Sequence, residues 1–396
     1  MTREEAFLSV QGPTNQTPYL IDIDRAEGVF IYDKSGKSYM DMIAGVAVNN
    51  IGHNHPKVVR ALKEQIDRHL HVMVYGEFIQ DSQLNFSTKL AALLPENLNC
   101  VYTVNSGTEA NEAALKLAKR VTGRTELVSF RGSYHGSTHG SMSVSGNETK
   151  KAAFRPLLPD VRFLTHNSIS ELSQITEKTA GVIIETIQGD AGVRRPDHDF
   201  MQALRKRCTE VGAQLIFDEV QCGIGRTGKL FAFEHFNVTP DIITLGKALG
   251  GGMPIGAVVS SNEKLYEFSY NPMLGHITTF GGHPVVCAAA NACLEVMESE
   301  IDFNEVERLG ALFESLIQAN DEIIETRRIG MMFAFDMESF ERVEKVVKKC
   351  LEKGLISFWF LSHPHSFRLS PPLTISEKEI RMAAKIILES IEETKG

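Results

Sequence analysis

Between residues 98 and 260, short runs of apolar and β-branched residues alternate with longer segments whose apolar positions recur at helical spacing. The short runs predict strands at 100–104, 126–130, 181–185, 214–218 and 242–245. The longer segments predict helices between them, including 109–121 and 199–211. Such alternation is typical of a mostly parallel sheet with helices on both faces. The pattern therefore predicts an α/β fold.

The two ends of the chain have a different pattern. Residues 19–44 predict short strands joined by turns, and 55–70 has helical spacing. After residue 296, long charged helices are followed by a short strand and a last helix, which predicts a smaller α+β domain. Because the first residues, about 45, have too few apolar positions for a core of their own, we expect them to join that domain. We predict a large domain at 49–295 and a small domain built from 1–48 and 296–396.

Composition narrows the possible partners and location. The net charge of -9 argues against nucleic acid as a main partner. No 18-residue apolar run and no apolar N-terminal stretch occur, so we expect neither a membrane span nor a signal peptide. The six cysteines are scattered without a Cys-x-x-Cys pair, as in proteins with reduced thiols. These features predict a cytoplasmic protein.

Lys247 is the strongest candidate for a catalytic residue. The apolar run 242–245 ends just before it, and the glycine-rich stretch 250–256 follows. This pattern predicts a buried strand that delivers one amine into a site that the backbone must approach closely. Burial lowers the pKa of a lysine, so its neutral amine can form a Schiff base with an aldehyde. The alternative from this segment alone is a surface lysine where a loop begins.

Polar residues at other predicted strand ends are candidates for the same site. Ser106, Gly107 and Thr108 form a turn before a helix, where free N–H groups and the helix dipole favour an anion. Simple capping of that helix is the alternative. Asp218 ends a hydrophobic strand and requires a cationic partner, either a protonated pyridine nitrogen or an arginine.

The loop that follows the strand at 126–130 contributes two more candidates. Tyr134 can stack on a flat heteroaromatic ring, unless it is a loop aromatic that covers the core. His135 is a candidate hydrogen-bond donor behind that ring. Glu185, like Asp218, ends a predicted strand. Because ligands of open α/β sheets bind outside the carboxyl ends of the strands, we expect these side chains to meet there.

Two patterns favour other functions. Residues 223–228 match G-x-G-x-x-G, which would indicate a dinucleotide site and an NAD-dependent oxidoreductase, but no second strand with an acidic end follows at the usual spacing. Paired histidines two residues apart raise a metallohydrolase alternative. On a helix such residues do not face each other, so we predict no metal site. The three pairs are His53/His55, His69/His71 and His363/His365.

Taken together, motifs in order along nearly the whole chain, from GVAVNNIGHNHP to FRLSPPLTISEKEI, resemble those of the class III (ω-) aminotransferases. The resemblance is greatest to the acetylornithine and ornithine aminotransferases. These enzymes use pyridoxal 5′-phosphate (PLP). The resemblance implies the aspartate aminotransferase-like fold, in which a large domain with a mostly parallel sheet flanked by helices is joined to a smaller α+β domain.

The resemblance also implies roles for the candidate residues. Lys247 carries the cofactor as a Schiff base and later moves a proton between substrate and cofactor, while Asp218 keeps the pyridine nitrogen protonated. Arg368 binds a substrate carboxylate. Thr279 reaches the phosphate of the neighbouring subunit, which implies a homodimer with composite sites. The other implied cofactor contacts are Ser106, Gly107 and Thr108 at the phosphate, Tyr134 on the ring, His135 and Glu185 near it, and Gln221 at the phenolic oxygen.

Three positions depart from the family pattern. Ser137 replaces the arginine of His-Gly-Arg-Thr that holds a second carboxylate, which argues against 2-oxoglutarate as acceptor and acetylornithine as donor. Asp190 replaces the glutamate that pairs with the carboxylate-binding arginine between half-reactions, and it is one methylene shorter. Val46 stands where ornithine aminotransferases carry a tyrosine, which argues against ornithine.

The leading prediction is a homodimeric aminotransferase with a ping-pong mechanism. It moves an amino group, from the terminal amine of an ornithine-like ω-amino acid or diamine, to a 2-oxo acid. The alternatives are a decarboxylase, racemase or aminomutase on the same fold, the NAD-dependent oxidoreductase, and a non-catalytic relative that binds PLP.

Overall fold

The computed structural model describes residues 1–395 of the chain. The strands in this part of the chain form three sheets. The strands are β1 (Ile23–Glu27), β2 (Phe30–Asp33), β3 (Ser38–Asp41), β4 (Cys100–Val104), β5 (Glu126–Phe130), β6 (Val161–Leu164), β7 (Thr179–Glu185), β8 (Gln214–Asp218), β9 (Ile242–Gly246), β10 (Gly256–Ser260), β11 (Glu325–Ile329), β12 (Met332–Asp336), β13 (Leu355–Ile356), β14 (Phe358–Trp359) and β15 (Ser366–Leu369).

Helices cover the sheets and connect them. The α-helices are α1 (Arg3–Val10), α2 (Ala44–Ala47), α3 (Pro56–Arg68), α4 (Asp81–Ala92), α5 (Gly107–Thr122), α6 (His139–Val144), α7 (Glu148–Lys151), α8 (His198–Val211), α9 (Asn262–Tyr266), α10 (Pro284–Ser299), α11 (Phe303–Gln318), α12 (Phe340–Glu352) and α13 (Glu377–Glu393). Short 3₁₀ helices lie at Ala152–Phe154, Ile169–Gln174, Ala232–His235, Lys247–Gly250 and Glu267–Ser269. Among residues 1–395, no helix combines the length and the apolar character that crossing a bilayer requires.

The central sheet has seven strands in the order β4-β10-β9-β8-β7-β5-β6. The strands from β9 to β6 pair in parallel, whereas β10 runs antiparallel to both β4 and β9. Every residue of β7, β8, β9 and β10 is buried, as expected for a sheet covered on both faces. The α/β prediction is confirmed, and all five predicted strands are present. The strands β6 and β10 were not predicted.

The register of this sheet places acidic and polar residues side by side at one edge. Glu185 on β7 is opposite Asp218 on β8, and Asp218 is opposite Thr244 on β9. Lys247 follows β9 directly, in a 3₁₀ turn. The carboxyl ends of three neighbouring strands therefore bring together residues that lie far apart in the sequence.

Helix α5 forms because its sequence carries both end signals and one apolar face. The Ser106 side chain accepts a hydrogen bond from the N–H of Glu109, and Gly123 ends the helix in a left-handed conformation. Its buried residues, mainly alanines, recur at helical spacing and lie against the sheet. The N-terminus of α5 is consequently fixed beside the carboxyl ends of the strands.

The two ends of the chain meet in a separate small sheet. It has the order β1-β2-β3-β13, in which the N-terminal strand β3 pairs in parallel with β13 near the C-terminus. A second four-stranded sheet, β11-β12-β15-β14, is built from the C-terminal part alone. This pairing supports a small domain made of 1–48 and 296–396 beside a large domain at 49–295, and that division remains a prediction.

The glycine run 223–228 forms consecutive turns after β8 and does not begin a helix. Arg226 within it is fully buried and donates hydrogen bonds to the carbonyls of Met331 and Pro371 and to the Asn50 side chain. The loop after β8 is thus hydrogen-bonded both to Asn50 and to the C-terminal part of the chain. It lacks the strand–turn–helix context that a dinucleotide site requires, so nothing in its structure favours the oxidoreductase alternative.

Candidate active site

A cavity of about 200 Å³ opens at the carboxyl edge of the central sheet, between the N-terminus of α5 and the loops after β5, β7, β8 and β9. It brings together nine of the residues that the sequence singled out. They are Ser106, Gly107, Thr108, Tyr134, His135, Glu185, Asp218, Gln221 and Lys247.

Lys247 projects into this cavity without a fixed partner. Among residues 1–395, its Nζ makes no hydrogen bond and has no carboxylate within 4 Å. Burial lowers the pKa of Lys247, and the nearby positive charge of Arg368 lowers it further. Its backbone has a φ of 45°, in the left-handed region that side chains with a Cβ avoid. The site therefore holds an unpaired amine that loses its proton more readily than an exposed lysine does.

Three donors orient the Asp218 carboxylate. Its Oδ2 lies 2.7 Å from both Asn111 Nδ2 and His135 Nδ1, and its Oδ1 accepts from the N–H of Val220 at 3.0 Å. The 2.7 Å contact assigns the proton of His135 to Nδ1. His135 Nε2, in contrast, is buried and has no hydrogen-bond partner among the described residues. Asp218 is consequently a fixed negative charge at the wall of the cavity.

The start of α5 forms one end of the cavity. The first N–H groups of a helix have no partner within the helix and carry the positive end of its dipole. Two close approaches shape this end. A Cβ on Gly107 would lie 2.4 Å from Val220 Cγ1, and one on Gly136 would lie 2.1 Å from Thr108 Oγ1. Both positions therefore require glycine, and the arrangement suits a small anion.

Glu185 holds two loops of the site together. Its carboxylate accepts hydrogen bonds from the N–H of Tyr134 at 2.8 Å and from that of Gly189 at 3.0 Å. Burial raises its pKa to about 7, although both N–H groups oppose the rise. Gln221 lies so close to Gly189 that a Cβ there would be 2.1 Å from Gln221 Oε1. The structure thus places Glu185 beneath the Tyr134 loop, while Tyr134 itself is partly exposed at the cavity.

Arg368, Ser137 and Asp190 lie around the outer part of the site. Arg368 on β15 is buried, and among the described residues no carboxylate lies within 4 Å of it. The Ser137 hydroxyl is 2.9 Å from the Tyr134 hydroxyl. Asp190 is bonded to Lys150 and not to Arg368. The loop after β7 and the strand β15 therefore reach the same site from different sheets.

Thr279 is exposed and does not line the cavity of its own chain. Its neighbour Thr278 accepts a hydrogen bond from Asn105 Nδ2 at 2.8 Å, which fixes this loop near the start of α5. Thr279 therefore lies on the surface of the chain, outside the cavity.

The histidine pairs 53/55 and 363/365 lie in different surroundings. His53 lies 2.8 Å from Asp41, and His55 lies 3.5 Å from Glu300, so the two rings face different carboxylates. His363 and His365 come near Asp336, and three potential ligand atoms of this group lie within 4.8 Å of one another. However, Arg327 donates to both oxygens of Asp336, at 2.9 and 2.5 Å, which explains why the pKa of Asp336 falls to about 2.

A family model for class III aminotransferases matches residues 11–391, nearly the whole chain. The chain belongs to the class III aminotransferases. It is 41% identical over 368 residues to an acetylornithine aminotransferase from Methanocaldococcus jannaschii, with 89% of each chain covered. It is 37% identical over 377 residues to an acetylornithine aminotransferase from Bacillus subtilis, covering 94% of this chain and 95% of that one.

Solved structures agree with this assignment. The ornithine aminotransferase from Toxoplasma gondii ME49 superposes with a TM-score of 0.92 at 28% identity, covering 99% of this chain and 94% of that one. The predicted aspartate aminotransferase-like PLP fold is confirmed. The reaction is PLP-dependent transamination, which takes an amine donor and a 2-oxo acid.

Sequence reasoning missed two residues in the site of this aminotransferase. Asn111 lies on α5 and binds both Asp218 Oδ2 and the carbonyl of His135, each at 2.7 Å. Thr244 on β9 donates to Asn111 Oδ1 at 2.7 Å and so fixes the orientation of the amide. The available signal was one asparagine on an otherwise alanine-rich buried helix face, since a buried amide requires partners.

Proposed function

We propose that this aminotransferase moves the terminal amino group of an ω-amino acid or diamine of the ornithine type to a 2-oxo acid. The observation that carries the proposal is the unpaired Lys247 amine, enclosed beside the fixed carboxylate of Asp218. The similarity to acetylornithine aminotransferases and to an ornithine aminotransferase supports a donor of this class.

The residues present suit PLP. In the proposed arrangement, the N–H groups at the start of α5, with the hydroxyls of Ser106 and Thr108, hold the phosphate. The glycines at 107 and 136 leave the space that the backbone needs there. Tyr134 and Gln221 also line the cavity, where Tyr134 would contact the ring and Gln221 its oxygen substituent. When bound, PLP supplies an aldehyde and an electron-withdrawing ring.

Each charged residue then has a chemical task. Lys247, whose pKa is lowered by burial, would provide the amine that binds the aldehyde and would move the proton at the reacting substrate carbon. Asp218 holds a proton at the pyridine nitrogen, and Asn111 and His135 keep its carboxylate in place. Arg368 binds the substrate carboxylate through its bidentate guanidinium, for which the described residues provide no competing carboxylate.

A donor panel tests the proposal directly. The purified yellow enzyme is mixed, without a 2-oxo acid, with ornithine, acetylornithine, lysine, putrescine, 4-aminobutyrate, β-alanine or alanine. We expect a donor with a terminal amine to remove the cofactor absorbance, because the amino group stays on the cofactor after the first half-reaction. Addition of a 2-oxo acid then restores the absorbance.

Two results would contradict this assignment. Colour that no donor removes would favour a decarboxylase, racemase or aminomutase on the same fold. Bleaching by alanine alone would place the reacting amine next to the carboxylate. The matched comparison is between ornithine and acetylornithine, since acetylation removes the positive charge of the α-amino group and leaves the terminal amine unchanged.

We also propose that the enzyme is a homodimer in which Thr279 completes the partner's site. The exposed apolar side chains around Thr279 support this proposal. Ile79 is 90% exposed and Met273 is 75% exposed. Exposed apolar patches of this kind usually mark a binding surface. Phe78, Leu274 and Ile277 are also exposed and line the same surface groove as Ile79, Met273 and Thr278.

Mixed dimers show whether Thr279 acts in the site of its own subunit or in that of its partner. A dimer of one Lys247→Ala subunit and one Thr279→Asp subunit contains one site with both native residues if Thr279 serves its partner. We therefore expect roughly half of the wild-type activity from this heterodimer and very little from either homodimer. Light scattering checks that all three species are dimers. An inactive heterodimer, or a fully active Thr279→Asp homodimer, would show that Thr279 does not act across the interface.

The six cysteines of the chain are all free thiols, and five of them are buried. This state supports the proposal of a cytoplasmic enzyme, where thiols stay reduced.

A further inference from the structure

The Asp190 carboxylate is fixed by three donors that have no part in the proposed chemistry. Lys150 Nζ lies 2.7 Å from its Oδ2, the Ser362 hydroxyl lies 2.6 Å from the same atom, and the N–H of Leu361 lies 3.1 Å from Oδ1. Asp190 is buried, and these donors keep its pKa below the usual range. It is therefore an ionised side chain that accepts three hydrogen bonds.

Asp190 nevertheless interacts with Arg368 through its charge. Burial lowers the pKa of Arg368, and the negative charge of Asp190 opposes that effect. The Arg368 guanidinium lies 5.6 Å from the centre of the Phe360 ring, and the next residue, Leu361, donates to Asp190, so the two charged side chains lie near the same segment without forming an ion pair within 4 Å. A carboxylate that can stabilise a buried guanidinium would pair with it if nothing held it elsewhere.

Lys150 holds the Asp190 carboxylate away from Arg368. Lys150 lies on α7, and its Nζ is 5.7 Å from the centre of the Tyr134 ring, at the rim of the cavity. Ser362 and Leu361 belong to the segment between β14 and β15 that leads to Arg368. Among the three donors only Lys150 carries a charge, so it contributes most to keeping Asp190 in place.

We propose that Lys150 is a positioning residue that holds Asp190 away from Arg368 and so keeps Arg368 open to a substrate carboxylate in both half-reactions. The inference rests on the proposed role of Arg368. It also sets the substrate class, because the Lys150 charge is neutralised by Asp190 and Ser137 adds none. A second substrate carboxylate then finds no uncompensated cation among these residues, which selects a monocarboxylic 2-oxo acid as acceptor.

The chain contains one tryptophan, which reports on this region without turnover. Trp359 is on β14, whose pairing with β15 places Phe358 opposite Arg368 and Trp359 opposite Phe367. Fluorescence titration of the holoenzyme with propionate and with glutarate measures binding of one and of two carboxylates. We expect similar dissociation constants for the two acids in the wild type. We expect Lys150→Met to weaken both roughly tenfold, because Asp190 then competes for Arg368.

Two matched variants separate this role from a structural one. Lys150→Arg keeps the charge and should bind both acids like the wild type. Lys150→Met combined with Asp190→Asn removes the competing charge and should recover both affinities. In steady-state assays, the KM for pyruvate should rise in Lys150→Met and return in the double variant, while kcat changes little.

Other outcomes would overturn the inference. If glutarate binds much more tightly than propionate and Lys150→Met removes only that advantage, Lys150 is itself a ligand for a second carboxylate. Unchanged binding in Lys150→Met, or no recovery in the double variant, would equally exclude the positioning role. Because binding is measured without reaction, these measurements can be interpreted even if the proposed amine donor does not react. Loss of all carboxylate binding in Arg368→Met is the result that tests the role on which the inference rests.

Discussion

Lys247→Ala is expected to lower kcat/KM at least about 10⁴-fold, which is the upper range for removing a positioned proton-transfer group. The variant loses the only amine that lines the cavity among the described residues, and with it both the covalent attachment and the proton carrier. Borohydride reduction followed by mass spectrometry should show no PLP attached to the peptide that contains position 247. The absorbance of the bound cofactor should also change, because the covalent attachment to position 247 is lost.

A surface lysine provides the control for this variant. Lys229 is exposed in the turn region after β8, so Lys229→Ala should react with borohydride as the wild type does and keep its activity. Near-normal turnover in Lys247→Ala would exclude Lys247 as the catalytic amine. Partial rescue by added methylamine would support the proton-transfer role, because a small amine can enter the space that the lysine vacates.

The sequence predicted the parts of the fold that depend on local pattern. Strands such as Gln214–Asp218 and helices such as α5 carry apolar periodicity and capping signals in adjacent residues. The cavity followed from the same pattern, since parallel strands present their carboxyl ends at one edge. The strand β10 was missed because its antiparallel direction depends on how the chain turns back after the 3₁₀ helix Lys247–Gly250.

Contacts between distant loops could not be predicted in the same way. Lys150 and Asp190 are 40 residues apart on segments without periodic pattern, and only their packing beside β14 and β15 brings them together. Arg226 likewise looked like part of a glycine-rich loop, whereas it is buried and binds carbonyls from the C-terminal part of the chain. In both cases the decisive information lies in the three-dimensional path of loops.

Asp218→Asn is expected to lower kcat by about 10²- to 10³-fold while the protein still binds PLP. An amide cannot supply the negative charge that keeps the pyridine nitrogen protonated, and losing one partner of a buried charge pair costs about 3–5 kcal/mol. Its NH₂ group would also face donors, since Asn111, His135 and Val220 all donate to Asp218. Stopped-flow measurement of the first half-reaction should therefore show slow bleaching of the cofactor absorbance.

Glu219→Gln is a closely matched control, because Glu219 is the next residue, is equally buried and does not line the cavity. Burial raises the pKa of Glu219 to about 8, so a neutral glutamine changes the charge at this position less than it would at a fully ionised carboxylate. Its carboxyl group accepts from the N–H groups of Ala232 and Phe233, which a glutamine oxygen can replace in part. We expect Glu219→Gln to lower the melting temperature more than it lowers kcat, and Asp218→Asn to do the reverse. Equal activity losses in the two variants would mean that any polar change at the end of β8 disturbs the loop, and that the charge of Asp218 has no special role.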